Sequence, residues 1–514
     1  MAPDQEPAVS LPARSTRWNL LTHSVTDRRD VSSDPLPLLP LILENVPPGL
    51  RRALAQEGIP CRDYRPGPPE GRFLLCDCRA LPRPSLDAGQ VVIDTNQLRQ
   101  GSADDPFEAL LDERTHDVRW DIGGFSVTET VARIDKRQVR RGLLARLRRA
   151  IEGAGGIWLR TAAFPYPYRS VFNFRIDHDD YHAADFDATL KALAGCEAAT
   201  THFVTAAGFQ QFPAALARLR GMDIGSHGYW HHTYKTAEEN IRNIFRGIEA
   251  LQTAGIEPFG FAAPHGRFNG GLLAALAALG IPYSSEFGLA YDETPFFLDG
   301  GRLLQIPIHP ICLGVVLEAA VRRPGPADRS GEAVRATLGH WEQHARTCSQ
   351  AGEPVFLYGH PTGRLGRYPE VLRRALQIAS GLNATWKTNF RELHAWWRAR
   401  AGARLSVRQD VDGFTVVADS LAAPYRLGIE YWQGEEVAVI PMDGPRLRFS
   451  PAALNYEQPA TPATVRPVGI DRPEGLRGRI RRWIDWERVT PVDEIPWDNW
   501  QNVTKRTLRR MVDS

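Results

Sequence analysis

The sequence predicts an α/β protein organised around a parallel sheet, open or closed into a barrel. Three observations carry this reading. Between about residues 166 and 400, short apolar runs ("SVFNFRI", "THFVTA", "DIGSH", "GFAAP", "IPYSS", "LLQIPIH", "PVFLYGH") alternate with longer helix-like segments, the pattern of strands joined by crossover helices. The longer segments are punctuated as helices at both ends. Polar side chains able to bind a metal recur where the short runs stop, which is where parallel sheets place their sites.

Taken in order, residues 1 to about 35 form a polar arm rich in Ser, Asp and Pro. From "LPLLPLILENVP" onward, apolar runs ("RFLLCDC", "QVVIDT", "GIWLR") alternate with helical stretches, so 1–165 reads as an N-terminal α/β domain. Its clearest helix, "KRQVRRGLLARLRRAIEGAGG", stops in a Gly-rich end, and its Arg stripe reads as a solvated face. Within 166–400, "TAEENIRNIFRGIEALQTAGI" opens with Thr236 and Glu239 at capping-box spacing and closes on Gly255. "NGGLLAALAALGI" runs from Asn269 to Gly280, and "YPEVLRRALQIASG" has Pro369 near its first turn. After "FRELHAWWRARAG" the period changes to two. "RLSVRQDVDGFTVVADS" and "YRLGIEYWQGEEVAVIPM" alternate around Asp412-Gly413 and Gln433-Gly434, giving a small antiparallel β module over 401–460. A Pro-rich linker and tail, 461–514, follow, and Trp483, Trp486, Trp497 and Trp500 favour docking of that tail.

A formal net charge of +2 gives no reason to expect nucleic acid as the partner. No run of about 18 uncharged apolar residues is present, so no membrane span is expected. The first 25 residues lack the apolar core of a signal peptide, so the expected location is cytoplasmic. The cysteines are scattered, and the CxC pair Cys76 and Cys78 lacks a second pair, so all six read as reduced thiols.

The chemistry gathers at strand ends. "FRIDHDDYH" crowds Asp177, Asp179 and Asp180 behind an apolar run. Such carboxylates repel one another unless a cation, a proton or open solvent relieves them. "DIGSHGYWHHTY" supplies His227, His231 and His232, and "VFLYGHP" supplies His360. His227 and His231 stand four apart, which on a helical or tightly turned segment brings both imidazoles to one side. Two histidines and one carboxylate make a facial set for a divalent ion, with positions left open for water and substrate. One Asp can bind that ion while a second stays free as a base.

These residues resemble the first two motifs of the polysaccharide deacetylase superfamily (carbohydrate esterase family four, NodB-homology type). "DIGSHGYWH" is the best matched segment, and "RIDHDD" is closer to a D-x-D variant than to an adjacent Asp pair. "GFAAPHGRFN" is similar to the third motif and "FLYGHP" to the last, so the resemblance covers roughly 170–395. It implies a distorted (β/α) barrel over 166–400. It also implies Asp179, His227 and His231 as ligands of a divalent metal, Zn first, with Co, Ni or Fe also accepted by such a set. Asp177 becomes the general base and His360 the general acid. His265, Arg267 and His309 are the candidate substrate-binding residues, with His309 either lining the pocket or packed at a strand end. Where the third motif usually carries an Arg that pairs with the base, this chain has Ala262 or Ala263, and Arg175 or Arg267 could supply that cation instead.

The implied activity is metal-dependent removal of an N-acyl (acetyl or formyl) group from an amino sugar. The expected compartment points to an amino-sugar-containing small molecule or intracellular glycan precursor for the envelope. Two rivals stand: a same-fold hydrolase of another C–N bond, such as a cyclic ureide or imide, and a catalytically silent glycan-binding or scaffold protein. His340 and His344 also stand four apart, but with no matching carboxylate they read as helix surface. His178 and His182 read as loop residues tuning the acidic cluster. Arg364 and Arg367, after His360, are candidates for an anionic substrate group.

Overall fold

The computed structural model describes residues 35–79, 89–99, 105–321, 328–420 and 424–460, with isolated positions near the end. The chain divides into Met1–Pro35 and Leu36–Ser514, and all that follows concerns the second unit. The expected polar arm therefore lies outside the described residues, as does the tail apart from a few positions such as Trp500, which is exposed.

Strands β1 (Leu41–Glu44), β2 (Cys61–Asp63), β3 (Phe73–Cys76) and β4 (Val91–Asp94) form a parallel sheet in the order β2-β1-β3-β4. The hairpin β5 (Thr115–Ile122) and β6 (Phe125–Ala132) follows. Next comes the basic helix Lys136–Gly153, capped by Asp135, whose side chain accepts from Gln138 N. Strand β7 (Trp158–Thr161) completes this region.

Much of the basic stripe of that helix is buried rather than solvated, although Arg149 is exposed. Lys136, Arg137, Arg140 and Arg148 are all buried. Arg140 binds Glu293 at 2.6 Å as well as Glu57, Arg141 pairs with Glu353, and Lys136 Nζ donates to Leu289 O at 2.7 Å. The Arg residues turn inward because acidic partners lie on later segments of the chain, which periodicity along one helix does not reveal.

A nine-stranded sheet organises the middle of the chain. It comprises β8 (Ser170–His178), β9 (Thr200–Val204), β10 (Ile224–Ser226), β11 (Phe261–Ala262), β12 (Tyr283–Ser285), β13 (Phe296–Leu298), β14 (Leu303–Gln305), β15 (Val355–Gly359) and β16 (Thr385–Lys387). The paired path is β13-β14-β12-β11-β10-β9-β8-β15, with β16 also on β8. Every pairing is parallel except β13 with β14. Among the described residues no ladder joins the two ends of this path. The fold is thus α/β around a mostly parallel sheet, with one antiparallel edge strand that alternation of strand and helix does not signal.

Its helices start where their caps predict. Thr236 Oγ1 accepts from Glu239 N at the head of Ala237–Thr253, and Asn269 Oδ1 accepts from Leu272 N at the head of Gly270–Ala278. Gly255 (φ +76°) ends the first of these in the left-handed region, where a glycine carries no Cβ penalty.

The C-terminal module forms two antiparallel pairings: β17 (Leu405–Asp410) with β18 (Gly413–Ala418), and β19 (Leu427–Gln433) with β20 (Glu436–Met442). Strand β21 (Arg446–Phe449) adds to β18, and β19 also pairs with β7. One apolar cluster runs through Phe73, Leu147, Phe203, Tyr283, Trp396 and Val416. Sheets early and late in the chain thereby share a core with the central one.

Candidate metal centre

Strand β8 is buried on both faces, as expected of a central parallel strand, and it delivers Asp177 and His178 at its C-terminal end with Asp179 just beyond. Strand β10 stops at Ser226, and the chain turns so that His227 and His231 come together, their ring centroids 4.8 Å apart. The HxxxH spacing thus acts through a tight turn rather than a helix.

Asp179 Oδ1 lies 3.5 Å from His227 Nε2 and 3.3 Å from His231 Nε2. The oxygen is buried without a hydrogen-bond partner. These separations are long for good hydrogen bonds. They match the spacing of two donors on one ion, since metal bonds of about 2.1 Å at tetrahedral angles put ligand atoms about 3.4 Å apart. His227 Nδ1 lies 2.7 Å from Ala262 O, which fixes the proton on Nδ1 and leaves Nε2 free for an ion. The donor set, the orphaned oxygen and the fixed tautomer all fit a divalent cation.

Asp177 stands apart from these three. Its carboxylate accepts from Arg175 Nε at 2.7 Å and Arg175 Nη2 at 2.6 Å. Arg175 is itself buried, donates through Nη1 to Ser285 O at 2.6 Å, and lies over the rings of Phe203 and Tyr358. Burial alone would raise the Asp177 carboxyl, but Arg175, and after it His227, hold it below the ordinary range. Two residues back on the same strand, Arg175 thus supplies the cation for which the third motif offers only Ala262 and Ala263, both buried in the core.

His360, directly after β15, places Nε2 3.7 Å from Asp179 Oδ2, and Cys312 Sγ lies 4.0 Å from its Nδ1. Burial pulls its imidazole down to about 4. His265, in the left-handed region (φ +57°), sets its ring 4.9 Å from that of His231, and Arg267 lies two residues on, half-buried. Asp180 is exposed, and Arg364 is half-buried with its charge acting on His360.

Several residues lie elsewhere than the sequence suggests. His178 is a buried strand residue, not a loop one, and its Nε2 lies 2.9 Å from His202 Nδ1 on β9. His182 is exposed beside Asp185, 3.1 Å away. His309 is in a second cluster, its Nδ1 2.9 Å from Asp292 Oδ1 and its Nε2 2.9 Å from His340 Nε2. His340 and His344 are therefore not helix surface; both are buried. The matching carboxylate, Asp292, comes from a loop almost fifty residues earlier in the chain.

Residues 176–284 match the polysaccharide deacetylase family model, a span that holds Asp177, Asp179, His227 and His231 and ends before His360. Among solved structures, a protein of Mycobacterium smegmatis assigned as a polysaccharide deacetylase is 19% identical (TM-score 0.40), covering 46% of this chain and 93% of that one. An allantoinase is 15% identical (TM-score 0.38), covering 47% and 94%. A protein of Pseudomonas aeruginosa PAO1, also assigned as a polysaccharide deacetylase, is 15% identical (TM-score 0.37), covering 46% and 94%. No curated protein sequence matches the chain significantly.

Proposed function

We propose, for a chain whose residues 176–284 belong to the polysaccharide deacetylase superfamily, that it is a metal-dependent hydrolase removing an N-acetyl or N-formyl group from an amino sugar. The observation that carries this reading is the orphaned Asp179 Oδ1 facing His227 and His231, beside an Asp177 that takes no part in that cluster. The metal, zinc by preference, would be held by Asp179, His227 and His231; when bound it lowers the pKa of water and polarises the scissile carbonyl.

The protein's own groups supply the rest. Asp177, kept ionised by Arg175, accepts a proton from the attacking water. His360 starts neutral, so the proton that Asp177 takes from water passes next to His360, restoring the Asp177 carboxylate, and His360 hands it to the departing nitrogen; without that proton an amine leaves poorly. The buried, bidentate Arg175 holds the base in one orientation. Pairing of Arg175 with Asp177 weighs against a silent protein, because the base keeps the cation that the third motif does not provide. His265, whose ring lies 4.9 Å from that of His231, and Arg267 two residues on are the candidates for substrate contact.

We further propose an intracellular amino-sugar precursor of envelope glycan as substrate, with 166–400 as the catalytic part and 1–165 and 401–460 flanking it. Among the described residues no helix is long and apolar enough to cross a membrane.

The test is acyl release by the full chain from nucleotide-linked and free N-acetyl and N-formyl amino sugars. Chelated protein should lose activity and regain it with Zn(II), and Asp177→Asn should lose it with metal retained. Ring opening of a cyclic ureide instead of acyl release would replace this reading, and release undiminished in Asp177→Asn would end it.

A further inference from the structure

The molecule holds a second group of one carboxylate and two imidazoles. We propose that Asp292, His309 and His344 form a separate, structural site for a divalent cation of the zinc class, with His340 as the outer partner of His309. This inference does not depend on the function proposed for the first cluster.

One ligand atom from each of the three residues lies within 4.8 Å of the others. His309 Nδ1 is 2.9 Å and His344 Nε2 3.6 Å from the same oxygen, Asp292 Oδ1. The second separation is near the donor spacing of about 3.4 Å that a tetrahedral ion imposes, and the first is a hydrogen bond that a cation on His309 Nδ1 would replace. Behind His309 stands the partner that ligating histidines usually have. With a cation on Nδ1, the ring must carry its proton on Nε2, and His340 Nε2, 2.9 Å away, is placed to accept it. The rings of His309 and His344 stack with centroids 4.1 Å apart.

Three buried imidazoles against one carboxylate are costly as charged groups and suited to a metal as neutral ones. Arg137 is the cation whose charge acts on Asp292 from the basic helix, and it divides that charge with Glu353 and Asp135. Cys348 Sγ touches the His344 ring at 3.7 Å.

The placement argues for fastening rather than chemistry. Asp292 comes from the loop after β12, where it occupies the left-handed region (φ +49°), His309 follows β14, and His340 and His344 lie on helix Ser330–Gln350. A cation there would tie three segments far apart in sequence. His309 is 3% and His344 5% exposed, as in closed structural sites rather than open catalytic ones.

Metal counting on the full chain decides this. The protein is stripped with a chelator, reloaded with Zn(II) alone, desalted, and measured by elemental analysis and thermal melting. Wild type should hold two equivalents. Asp179→Ala/His231→Ala, which lacks the first cluster, should hold one and melt at a higher temperature when reloaded. His344→Ala should fall from two to one while keeping the first site. A first-cluster variant that binds no zinc and melts unchanged would overturn the proposal, as would His344→Ala retaining two. If His344→Ala does not fold, the zinc content and melting of the first-cluster variant still separate the two outcomes. Acyl release undiminished in that variant, with one zinc still bound, would count against the function proposed above and leave this inference standing.

Discussion

The chain holds two clusters with the same ligand chemistry, and their surroundings differ. Around Asp179, a second carboxylate lies close by yet outside the cluster, because Arg175 occupies both of its oxygens, and His360 approaches from another strand end. Around Asp292, the nearby polar groups pair inward: His309 bridges Asp292 and His340, and His344 packs between Asp292 and Cys348. On the reading proposed above, the first Asp-His-His set is a reaction centre because a base and an acid stand beside it, whereas the second, without such neighbours, would hold segments together.

The sharpest way to break this contrast is to remove a carboxylate from each side. Asp177→Asn should lower kcat by about 10²–10⁴ without reducing zinc content, as steady-state acyl release and elemental analysis would show. Asp292→Asn should leave kcat within a few-fold wherever the protein remains folded and should lower its melting temperature instead. Equal kinetic losses in the two variants would erase the distinction.

Removing the cations comes next in size. Arg175→Gln leaves the buried Asp177 charge without a partner and should cost about 3–5 kcal/mol in urea unfolding. Arg175→Gln/Asp177→Asn should recover part of that loss, because no charge is then stranded. Arg137→Gln should cost less, since Asp292 keeps His309 at 2.9 Å. An equal or greater cost for Arg137→Gln would mean that the second cluster is held by its arginine and not by its histidines.

The first cluster is legible in the sequence because each of its parts is local. Asp177 and Asp179 close one strand and His227 and His231 occupy a single turn, and the resemblance to the polysaccharide deacetylase motifs joins the two segments, some fifty residues apart, into one site. Arg175 can be named only as one of two candidates, since alternation along a strand does not say whether an arginine two residues back folds onto its neighbour. The second cluster is not legible: Asp292, His309 and the pair His340 and His344 come from three segments, and the acid within "HWEQH", Glu342, stands two positions from each histidine and so off their face of the helix. For the same reason the basic helix looks solvated in the sequence, its partners Glu293 and Glu353 lying about 150 and 210 residues further on. Strand and helix alternation yields the parallel order of the central sheet but not its antiparallel edge, because β13 runs into β14 with only a short turn and no crossover helix between them.

Glu286 sharpens the comparison of carboxylates near the first cluster. It is fully buried next to Ser285, accepts from Ser284 Oγ at 3.0 Å, and is pushed up by burial to about 7, in spite of bonds from Gln305 and Ser284 and the charge of Arg175. Asp177, with Arg175 bidentate on it, is held down instead. In the unfolded chain Glu286 titrates near 4.5, so the folded state binds the proton more tightly. The stability this gives is present in full below that value and is lost as pH rises through about 7. Glu286→Gln, neutral throughout, should therefore be more stable than wild type at about pH 8 by on the order of 3 kcal/mol, and the difference should vanish near pH 4. Chemical denaturation across that window gives the slope, and a wild-type curve parallel to that of Glu286→Gln would show that Glu286 ionises as freely in the folded protein as in the unfolded one.

The smallest effect separates the outer partners of the two clusters. His227 is oriented by a backbone carbonyl, Ala262 O, which no substitution can delete, whereas His309 is oriented by a side chain, His340. Replacing an outer partner usually weakens metal binding about 10–100-fold, or roughly 1.4–2.7 kcal/mol. His340→Phe keeps a ring of similar size on the same buried helix face and removes only the acceptor for His309 Nε2. Zinc competition against a chromogenic chelator, run on the Asp179→Ala/His231→Ala background so that only the second cluster reports, should show that loss. Unchanged affinity would make His340 a packing residue and leave Asp292, His309 and His344 to hold their ion without it. A loss confined to melting temperature in the zinc-free protein would place the His309–His340 contact among the forces that fold the loop and not among those that hold the metal.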